Sequence, residues 1–540
     1  MIGFSTQPKI MLSGLIQGLN LSKKCPRLSV KGLALDSRNV QPGYIFFAIK
    51  GHEQDGIDYI PQAIERGAIA ILTEWQNVND SPVTHINKGV KLSIPLIGVE
   101  RLSQSISLIA GRFYDDPAER MAIIAVTGTN GKTTCAHLYA DLSWQVNALA
   151  EALCEGHKSG FVGTLGHGIA GQNVDLNKRL DLDTEDEVLA SPLTTPDAIT
   201  MQKILGDLQA LGCDSVAIEA SSHALEQGRI SSVAVDTAIF TNLSRDHLDY
   251  HGDLNSYADA KRRLFKMSGL KNAVINIDDT IGKAIFADLD PNIRAISYSL
   301  ENITADIYCQ AIHFSPVGFR AVIYTPWGSG EVVSRLLGKF NLSNLLAVIG
   351  AFVIQKGGSE YKNFAKVLEV IPNLNSVRGR MELIDSGDGP AVIVDYAHTP
   401  DALEKVLKTL RLHCKGSLWV VFGCGGNRDI GKRAEMGDIA NSNADRIVVT
   451  SDNPRTESPE KIIQDILTGV GKDVIVEVDR RTAINLAIRD AGKDDVILIA
   501  GKGHENYQIF GVERLPFSDQ AEARLALREA LSKDTVGGDL

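Results

Sequence analysis

Short apolar runs that end in glycine or small polar residues recur along this chain, and each gives way to a helical pattern. Between residues 122 and 279 these runs are AIIAVTGTNG, SVAIEASSH, AVDTAIFTNLSRDH and AVINIDD. Continuous β-branched runs are typical of strands buried on both faces, and parallel strands need a crossover that is usually a helix. The pattern therefore predicts an α/β protein built on parallel sheets.

A second α/β series follows residue 390, and its five predicted strands all end in polar residues. The series reads AVIVDYAHTP, LWVVFGCGGNRD, RIVVTSDNPR, VIVEVDRR and DVILIAGKGHE. Ligands of doubly wound sheets bind beyond the carboxyl ends of the strands, so charged groups at five such ends favour a binding cleft. Ordinary turns between strands and helices also favour Asp, Asn and Gly, which is the simpler explanation for any one of them.

Three domains are predicted for the 540 residues, a length that favours two to four. The first is a mixed α/β domain over residues 1–117, and the stretch FYDDPAERM at 113–121 is the predicted linker. The central parallel-sheet domain spans 118–374, with an antiparallel ribbon around the TPWG turn between 306 and 340 and a helical stretch from 341 to 371. The third, Rossmann-like domain spans 375–540.

Charge and cysteine content exclude several classes of protein. Fifty-five basic against 66 acidic residues give a net charge of −11, which disfavours nucleic-acid binding and requires any phosphate site to be built locally. The seven cysteines show neither disulfide-scaffold nor CxxC spacing. No apolar run approaches the roughly 18 residues that a membrane span needs. We expect a monomeric cytoplasmic protein, without membrane insertion, that acts on small molecules.

The stretch AVTGTNGKTT at 125–134 predicts a phosphate-binding loop between a strand and a helix. Gly128 and Gly131 allow backbone amides and the helix N-terminus to surround phosphate oxygens, Lys132 adds positive charge, and Thr133 offers a hydroxyl to magnesium. The strict GxxxxGK[ST] pattern is not met, because Val126 occupies the first glycine position. A tight glycine turn without a ligand is the alternative.

Two later motifs contain candidate magnesium ligands. Glu219 follows a predicted strand in AIEASSH, and His247 follows another in TNLSRDHLDYHG, where Asp249 and His251 compete with it. Taken alone, the glutamate is better explained as a loop cap and the histidine as a residue that satisfies a loop. Next to a phosphate loop in the same sheet, we favour the metal role.

Taken in order, the motifs of the chain resemble those of the Mur ligases, ATP-dependent amide-forming enzymes of peptidoglycan precursor synthesis. The matching stretches are TGTNGKTT, EASSHAL, TNLSRDHLDYHG, YADAKRRLF, GKFNLSN, VRGRMEL, DYAHTPDAL, GCGGNRDIGKR, DNPRTE and GKGHE. The resemblance implies a UDP-binding first domain, an ATP-binding central domain and an amino-acid-binding third domain.

The resemblance also implies residue roles. Lys132, Glu219, His247 and Lys261 would be catalytic, and Lys261, by itself a solvated helix charge beside Arg262 and Arg263, would carry a CO₂-derived carbamate. Mg²⁺ would be held by Thr133, Glu219, His247 and that carbamate. ATP would contact Gly128, Thr129, Asn130, Gly131, Lys132, Thr133, Thr134, Asn341, Asn344, Arg380 and Asp395.

Within the family, DSR, GHEQDG, LTTPD, DNPR and GKGHE resemble the ligase that joins meso-diaminopimelate to UDP-N-acetylmuramoyl-L-alanyl-D-glutamate. Its muramoyl substrate would contact Leu35, Ser37, His52, Thr194, Thr195, Ser221, Gln227 and Arg229. Diaminopimelate would contact Arg428, Asp452, Asn453, Arg455, Gly501 and Glu505.

Arg455 decides which amino acid we expect. Its guanidinium forks onto a carboxylate such as the one at the far end of diaminopimelate, and it repels the ammonium of lysine. The alternatives for Arg455 itself are a turn cap after Pro454 or an ion pair with Glu457. A lysine-adding ligase, a folylpolyglutamate synthetase and a nucleotide-binding regulator without chemistry are the competing functions.

Overall fold

A computed structural model describes residues 10–536 except 52–53, 76–92, 151–156, 172–192, 358–362, 385–386, 388 and 472. His52 and the acidic stretch 176–191 lie outside the described residues. The chain divides into two compact units, one formed by residues 1–297 with 354–356 and the other by 298–353 with 357–540. Short 3₁₀ helices span Ser37–Asn39, Gly56–Tyr59, Pro117–Arg120, Arg263–Lys266 and Ile371–Asn373.

A four-stranded parallel sheet begins the first unit. Its strands, in spatial order, are β1 Gly32–Ala34, β2 Tyr44–Ala48, β3 Ala70–Trp75 and β4 Leu96–Glu100. Its helices are α1 Leu12–Leu15, α2 Ile60–Glu65 and α3 Leu102–Phe113. Alternate residues of β2 enter opposite clusters, Ile45 and Phe47 on one face, Phe46 and Ala48 on the other. The strand is apolar throughout because both of its faces are buried.

A second sheet of the first unit carries the predicted phosphate loop. Its strands are β5 Ala122–Thr127, β6 Lys158–Gly163, β7 Gly166–Ile169, β8 Cys213–Glu219, β9 Thr237–Phe240, β10 Asn272–Asn276 and β11 Arg294–Ser299, in the order β11-β10-β9-β5-β8-β6-β7. The helices are α4 Lys132–Ala150, α5 Ala198–Ala210, α6 Ser222–Glu226, α7 Leu248–His251, α8 Leu254–Arg262 and α9 Thr280–Ala287. Strand β5 lies parallel between β8 and β9, so their carboxyl ends share one edge.

The predicted antiparallel ribbon is confirmed. It consists of β12 Ile307–Ser315, β13 Gly318–Thr325 and β14 Gly328–Ser334, with Pro326 and Trp327 in the turn between the last two strands. Strand β12 pairs in parallel with Tyr298 and Ser299 at the end of β11. The single helical stretch predicted after it is divided into α10 Lys339–Gln355 and α11 Phe364–Val370. Gly357 follows α10 with a φ of 117°, which suits glycine beyond a helix end.

All five strands of the second predicted series are present in one sheet. Its members are β15 Glu382–Ile384, β16 Ala391–Asp395, β17 Leu418–Phe422, β18 Arg446–Val449, β19 Ile475–Val476 and β20 Val496–Ala500, in the order β15-β16-β20-β17-β18-β19. Only the added edge strand β15 is antiparallel to its neighbour among these paired strands. The helices are α12 Pro400–Arg411, α13 Gly431–Asn443, α14 Pro459–Leu467, α15 Arg480–Asp490 and α16 Asp519–Val536, and a hairpin joins β21 Tyr507–Phe510 to β22 Glu513–Pro516.

Three large sheets, each packed with helices around its own apolar cluster, confirm the predicted α/β fold class. Within the described residues, no helix has the length and apolar character needed to cross a bilayer. The boundaries at residues 117 and 374 stay predictions.

Candidate functional site

The loop between β5 and α4 has a backbone that requires glycine. Gly128 has a φ of 150°, and a Cβ there would lie 1.9 Å from Thr241 Oγ1. Gly131 has a φ of 87°. The amides of Thr129 and Asn130 donate to the backbone oxygen and side-chain oxygen of Asn242, at 2.8 and 3.0 Å. Asn242, which sequence reasoning did not identify, therefore fixes the loop against the end of β9.

Two lysines converge on this loop. Lys132 Nζ donates to the carbonyls of Gly128 and Thr129 at 2.9 and 2.8 Å, and Lys261 Nζ donates to the same Gly128 carbonyl at 2.8 Å. Lys261 is only 1% exposed and lies over the Tyr257 ring, so its interpretation as a solvated charge is wrong. Burial, and then the charge of Lys132, hold the pKa of Lys261 well below its usual value.

Glu219, at the end of β8, is a buried carboxylate in a cradle. Thr164, in the turn between β6 and β7, donates its amide to Oε1 at 2.8 Å and its hydroxyl to Oε2 at 3.1 Å. A Cβ on Gly163 would lie 2.0 Å from Oε1, so this position must lack a side chain. Burial raises the pKa of Glu219, while the charge of Lys132 and bonds from Thr164 and Thr133 lower it. The Glu219 carboxylate is therefore held by the turn between β6 and β7.

The histidine of the candidate metal set lies in a group of aromatic rings. His247 has a left-handed φ of 52°, its side chain is 46% exposed, and its ring lies 5.0 Å from His223. The competing His251 is a weaker candidate, because its nitrogens contact Glu226 Oε2 at 3.1 Å and Ser222 Oγ at 2.9 Å. In the described ranges, no cluster of three or more His, Cys, Asp or Glu side chains is arranged to hold a metal ion by itself.

A cleft of about 210 Å³ opens beside the loop and joins several of the predicted residues. Its lining consists of Lys132, Leu193, Thr194, Ser221, Ser222, His223, Arg229, His247, Tyr257 and Lys261. The phosphate-loop lysine, the buried second lysine and three predicted acceptor-binding residues therefore face one space.

The acceptor-binding residues of this unit are linked by hydrogen bonds. Thr195 Oγ1 donates to the Glu219 carbonyl at 2.7 Å and lies 3.1 Å from Ser221 Oγ, and Arg229 donates to the Thr195 carbonyl at 2.8 Å. Gln227 accepts from Arg229 Nη2 at 2.7 Å. Leu35 and Ser37 lie instead just after β1 of the four-stranded sheet, where Ser37 Oγ donates to Gln62 Oε1 at 2.6 Å.

The last sheet brings three of its polar strand ends together. Asn453, after β18, donates to Glu505 Oε2 at 2.9 Å, and Gly426, after β17, donates to the Asn453 carbonyl at 2.9 Å. A Cβ on Gly501, after β20, would lie 2.7 Å from Asp452 Oδ2. Arg428 lies beside Gly425 on the exposed rim of this group.

Arg455 faces the loop after β17. Its contacts argue against one of the two structural alternatives, the ion pair with Glu457. Its Nη1 donates to the Gly426 carbonyl at 2.8 Å, whereas Glu457 accepts from Arg433 Nη2 at 3.0 Å. The ion pair with Glu457 is therefore formed by the fully buried Arg433. Arg455 has a left-handed φ of 51°, and its backbone bonds to Ile509 and Gly511 pair it with β21.

Lys502 is a member of this group that sequence reasoning missed. It is completely buried, and its Nζ donates to Asn453 Oδ1 at 3.1 Å and to Glu505 Oε2 at 3.0 Å. Its position inside GKGHE was the available signal. The lysine offsets the Glu505 charge and fixes the amide orientation of Asn453.

The remaining predicted nucleotide residues lie at two places in the second unit. Asn341 and Asn344 are buried in the first turns of α10, where Asn344 Nδ2 donates to Asn341 Oδ1 at 3.3 Å. Asp395, at the end of β16, accepts from the Met381 and Ala397 amides, both at 2.8 Å. Burial raises the pKa of Asp395, and the nearby charge of Arg380 opposes that shift.

The fold and the site define a nucleotide-binding α/β protein, with a glycine loop, its lysine and a buried carboxylate at one sheet edge. Three family models match, described as "Mur ligase family, catalytic domain" at residues 29–114, "Mur ligase middle domain" at 126–352 and "Mur ligase, glutamate ligase domain" at 379–503. The chain belongs to the Mur ligase family of ATP-dependent ligases.

Two curated relatives are called UDP-N-acetylmuramoyl-L-alanyl-D-glutamate--2,6-diaminopimelate ligase. The protein of Coxiella burnetii is 43% identical over 505 residues, covering 92% of this chain and 96% of its own. The protein of Pseudomonas syringae pv. tomato is 44% identical over 500 residues, covering 92% and 95%.

Two solved structures share the fold of this chain, one at higher and one at lower sequence identity. One of a UDP-N-acetylmuramoyl-L-alanyl-D-glutamate--2,6-diaminopimelate ligase has a TM-score of 0.70 at 34% identity, over 96% of this chain and 99% of that one. A folylpolyglutamate synthase of Mycobacterium tuberculosis complexed with ADP has a TM-score of 0.55 at 17% identity, over 78% and 94%. The second likeness shows the fold alone.

Proposed function

We propose that this protein uses ATP to join meso-diaminopimelate to UDP-N-acetylmuramoyl-L-alanyl-D-glutamate, the reaction for which its relatives are named. The observation that carries the proposal is the cleft that joins Lys132 and Lys261 to Thr194, Ser221 and Arg229. Phosphate-binding and acceptor-binding groups on one cleft fit the activation of a carboxylate by ATP.

The first step is phosphoryl transfer. A carboxylate oxygen of the D-glutamate residue attacks the γ-phosphorus of ATP, ADP leaves, and an acyl phosphate forms. Lys132 extends from the first turn of α4 and offsets repulsion between the two anions, which is most of what this transfer requires of a protein. Arg229, held by Gln227 and the Thr195 carbonyl, orients the acceptor.

The second step is aminolysis. An amine of diaminopimelate attacks the acyl carbon, the carbon–oxygen bond to phosphate breaks, and inorganic phosphate leaves as the nitrogen loses a proton. Arg455 and Glu505 would bind the distal carboxylate and ammonium of the amino acid, with Lys502 and Asn453 holding Glu505 in place.

Magnesium fits the donors beside the phosphate loop. Thr133 and Glu219 would supply a hydroxyl and a buried carboxylate, and His247 lies on the cleft beside the loop. Magnesium is commonly bound by one or two protein groups and completed by phosphate oxygens and water, so no full protein cage is needed. When bound, it neutralises charge on the transferring phosphoryl group.

Carbamylation of Lys261 is the finer part of the proposal. Only a neutral amine attacks CO₂, and the lowered pKa of this buried lysine favours that form. The carbamate would be an anionic oxygen donor on the cleft beside Lys132 and His247. Cytoplasmic location and a monomeric state stay predictions.

Phosphate release measured with ATP, magnesium and the UDP-muramoyl dipeptide tests the function. Parallel reactions contain meso-diaminopimelate, L-lysine or no amino acid. We expect release only with diaminopimelate. Release with L-lysine would support the lysine-adding alternative instead, and its absence in every reaction with competent substrates would reject the ligase scheme.

Replacing Lys261 with methionine tests the carbamate, because methionine keeps an unbranched buried side chain without the amine. We expect kcat to fall about 100-fold, since a metal-binding group is removed. Carbon-13 NMR with labelled bicarbonate should show a carbamate signal in the wild type that this variant lacks. Lys266→Ala, which removes an exposed lysine five residues further along, is the control. Wild-type turnover in Lys261→Met would remove this part of the proposal.

A further inference from the structure

His413 connects three segments of the second unit and lies outside the groups described above. The residue follows α12 and is only 1% exposed. Its Nδ1 lies 2.6 Å from the Ser315 carbonyl at the end of β12, and its Nε2 lies 2.9 Å from the amide of Gly338, just before α10. One imidazole therefore joins the ribbon and the start of α10 to the end of α12.

The two contacts determine the proton positions on the ring. The Ser315 carbonyl can only accept, so Nδ1 must carry a proton, and the Gly338 amide can only donate, so Nε2 must be unprotonated. The ring is therefore neutral, in one tautomer. Burial also lowers the pKa of His413, which favours the same neutral form.

The peptide that contains the Gly338 amide is hydrogen-bonded to Asn341, one of the two predicted adenine-side asparagines. Gly338 has a φ of 91°, and a Cβ there would lie 2.6 Å from Thr409 Cγ2 on α12. The preceding residue, Leu337, is fully buried in the core of the last sheet, and its carbonyl accepts from Asn341 Nδ2 at 2.8 Å. This bond turns Asn341 Oδ1 towards Asn344 Nδ2.

We propose that His413 is a positioning residue for the nucleotide base. Through the Gly338 amide it fixes the peptide between Leu337 and Gly338, and that peptide's carbonyl sets the amide plane of Asn341. His413 does not touch the nucleotide. The inference rests on the proposed role of Asn341 and Asn344 in ATP binding.

Two substitutions separate the two contacts of the ring. In His413→Asn, the short side chain places an amide donor near the Nδ1 position, which keeps the Ser315 bond and loses the Gly338 bond. In His413→Gln, the longer side chain places an amide oxygen near the Nε2 position, which keeps the Gly338 bond and loses the other. Each variant loses one hydrogen bond, so both should lower the Tm similarly.

We expect His413→Asn to raise the Kd for ADP and the KM for ATP about tenfold, with kcat and the KM for diaminopimelate within about twofold of wild type. His413→Gln should stay within about twofold for every constant. Calorimetric titration of each full-length variant with ADP measures the first effect. Equal ADP affinity in both variants, with lowered Tm, would overturn the inference and leave His413 a purely structural residue.

Two further variants keep the outcomes distinguishable. Gly338→Ala displaces the same peptide without changing the imidazole, because its Cβ would overlap Thr409, and it should also weaken ADP binding. Unchanged ADP affinity there would overturn the inference even if His413→Asn does not fold. Asn341→Ala tests the premise, since unchanged ADP affinity in that variant would overturn the adenine-side role itself.

Discussion

Replacing Lys132 with alanine is expected to lower kcat about 1,000-fold or more, because the variant loses the charge that offsets repulsion between ATP and the acceptor carboxylate. Lys132 begins α4 and already donates to two carbonyls of the loop, so its ammonium is held close to where a phosphate would lie. Phosphate release at saturating ATP and acceptor measures the effect.

A second lysine variant and a measurement of folding separate a catalytic effect of Lys132→Ala from loss of structure. Lys266→Ala removes an exposed lysine of the same unit and should keep turnover within about twofold of wild type. Circular dichroism and the Tm of Lys132→Ala should show a folded protein, because the Lys132 side chain donates to carbonyls of its own loop. Near-normal turnover in Lys132→Ala would contradict the acyl-phosphate scheme.

Replacing Arg455 with alanine is expected to lower kcat/KM for meso-diaminopimelate by about 1,000-fold, since a paired, partly buried charge is lost. Arg455→Lys keeps the charge and loses the fork, and it should fall about 100-fold. The KM for ATP should not change in either variant. Initial rates with varied diaminopimelate and with varied ATP separate the two constants.

Selectivity against L-lysine gives the sharper measure of Arg455. The ratio of kcat/KM for diaminopimelate to that for L-lysine should collapse in Arg455→Ala, because the repulsion of the lysine ammonium disappears along with the attraction of the carboxylate. Arg446→Ala, at an exposed strand start in the same sheet, should keep the ratio. A preserved ratio in Arg455→Ala would show that Arg455 acts only through its bond to the Gly426 carbonyl.

Much of the fold follows from local patterns. The runs that became β5, β8, β9 and β10 are apolar because both of their faces are covered, and that requirement is visible in a single sequence. The ribbon was also predictable from local features, namely its alternation of apolar and polar residues and its Pro-Trp-Gly turn. The break between α10 and α11 was missed, although the adjacent Gly357 and Gly358 of the sequence are a recognised signal for a loop.

The candidate site was only partly predictable. Lys132 and Thr133 follow a recognisable loop, but the residue that holds Glu219 is Thr164, which is distant in sequence and reaches the carboxylate only through the pairing of β6 with β8. Lys261 was misjudged from its charged neighbours, because a helix places one residue inside and the next outside. Lys502 was missed, because its place inside GKGHE marks a motif but does not show that the lysine itself is buried.

The sequence by itself determined the three-domain α/β fold class, the glycine loop after β5 and the family, because these depend on residue periodicity and on short motifs read along the chain. The tertiary structure alone decided the environment of the ionisable groups. Burial of Lys261 and Glu219, the cradle of Gly163 and Thr164, and the tautomer of His413 each depend on segments that meet across sheets and helices. Protonation and orientation respond to the surrounding dielectric and to hydrogen-bond partners, and neither is fixed until the chain has folded.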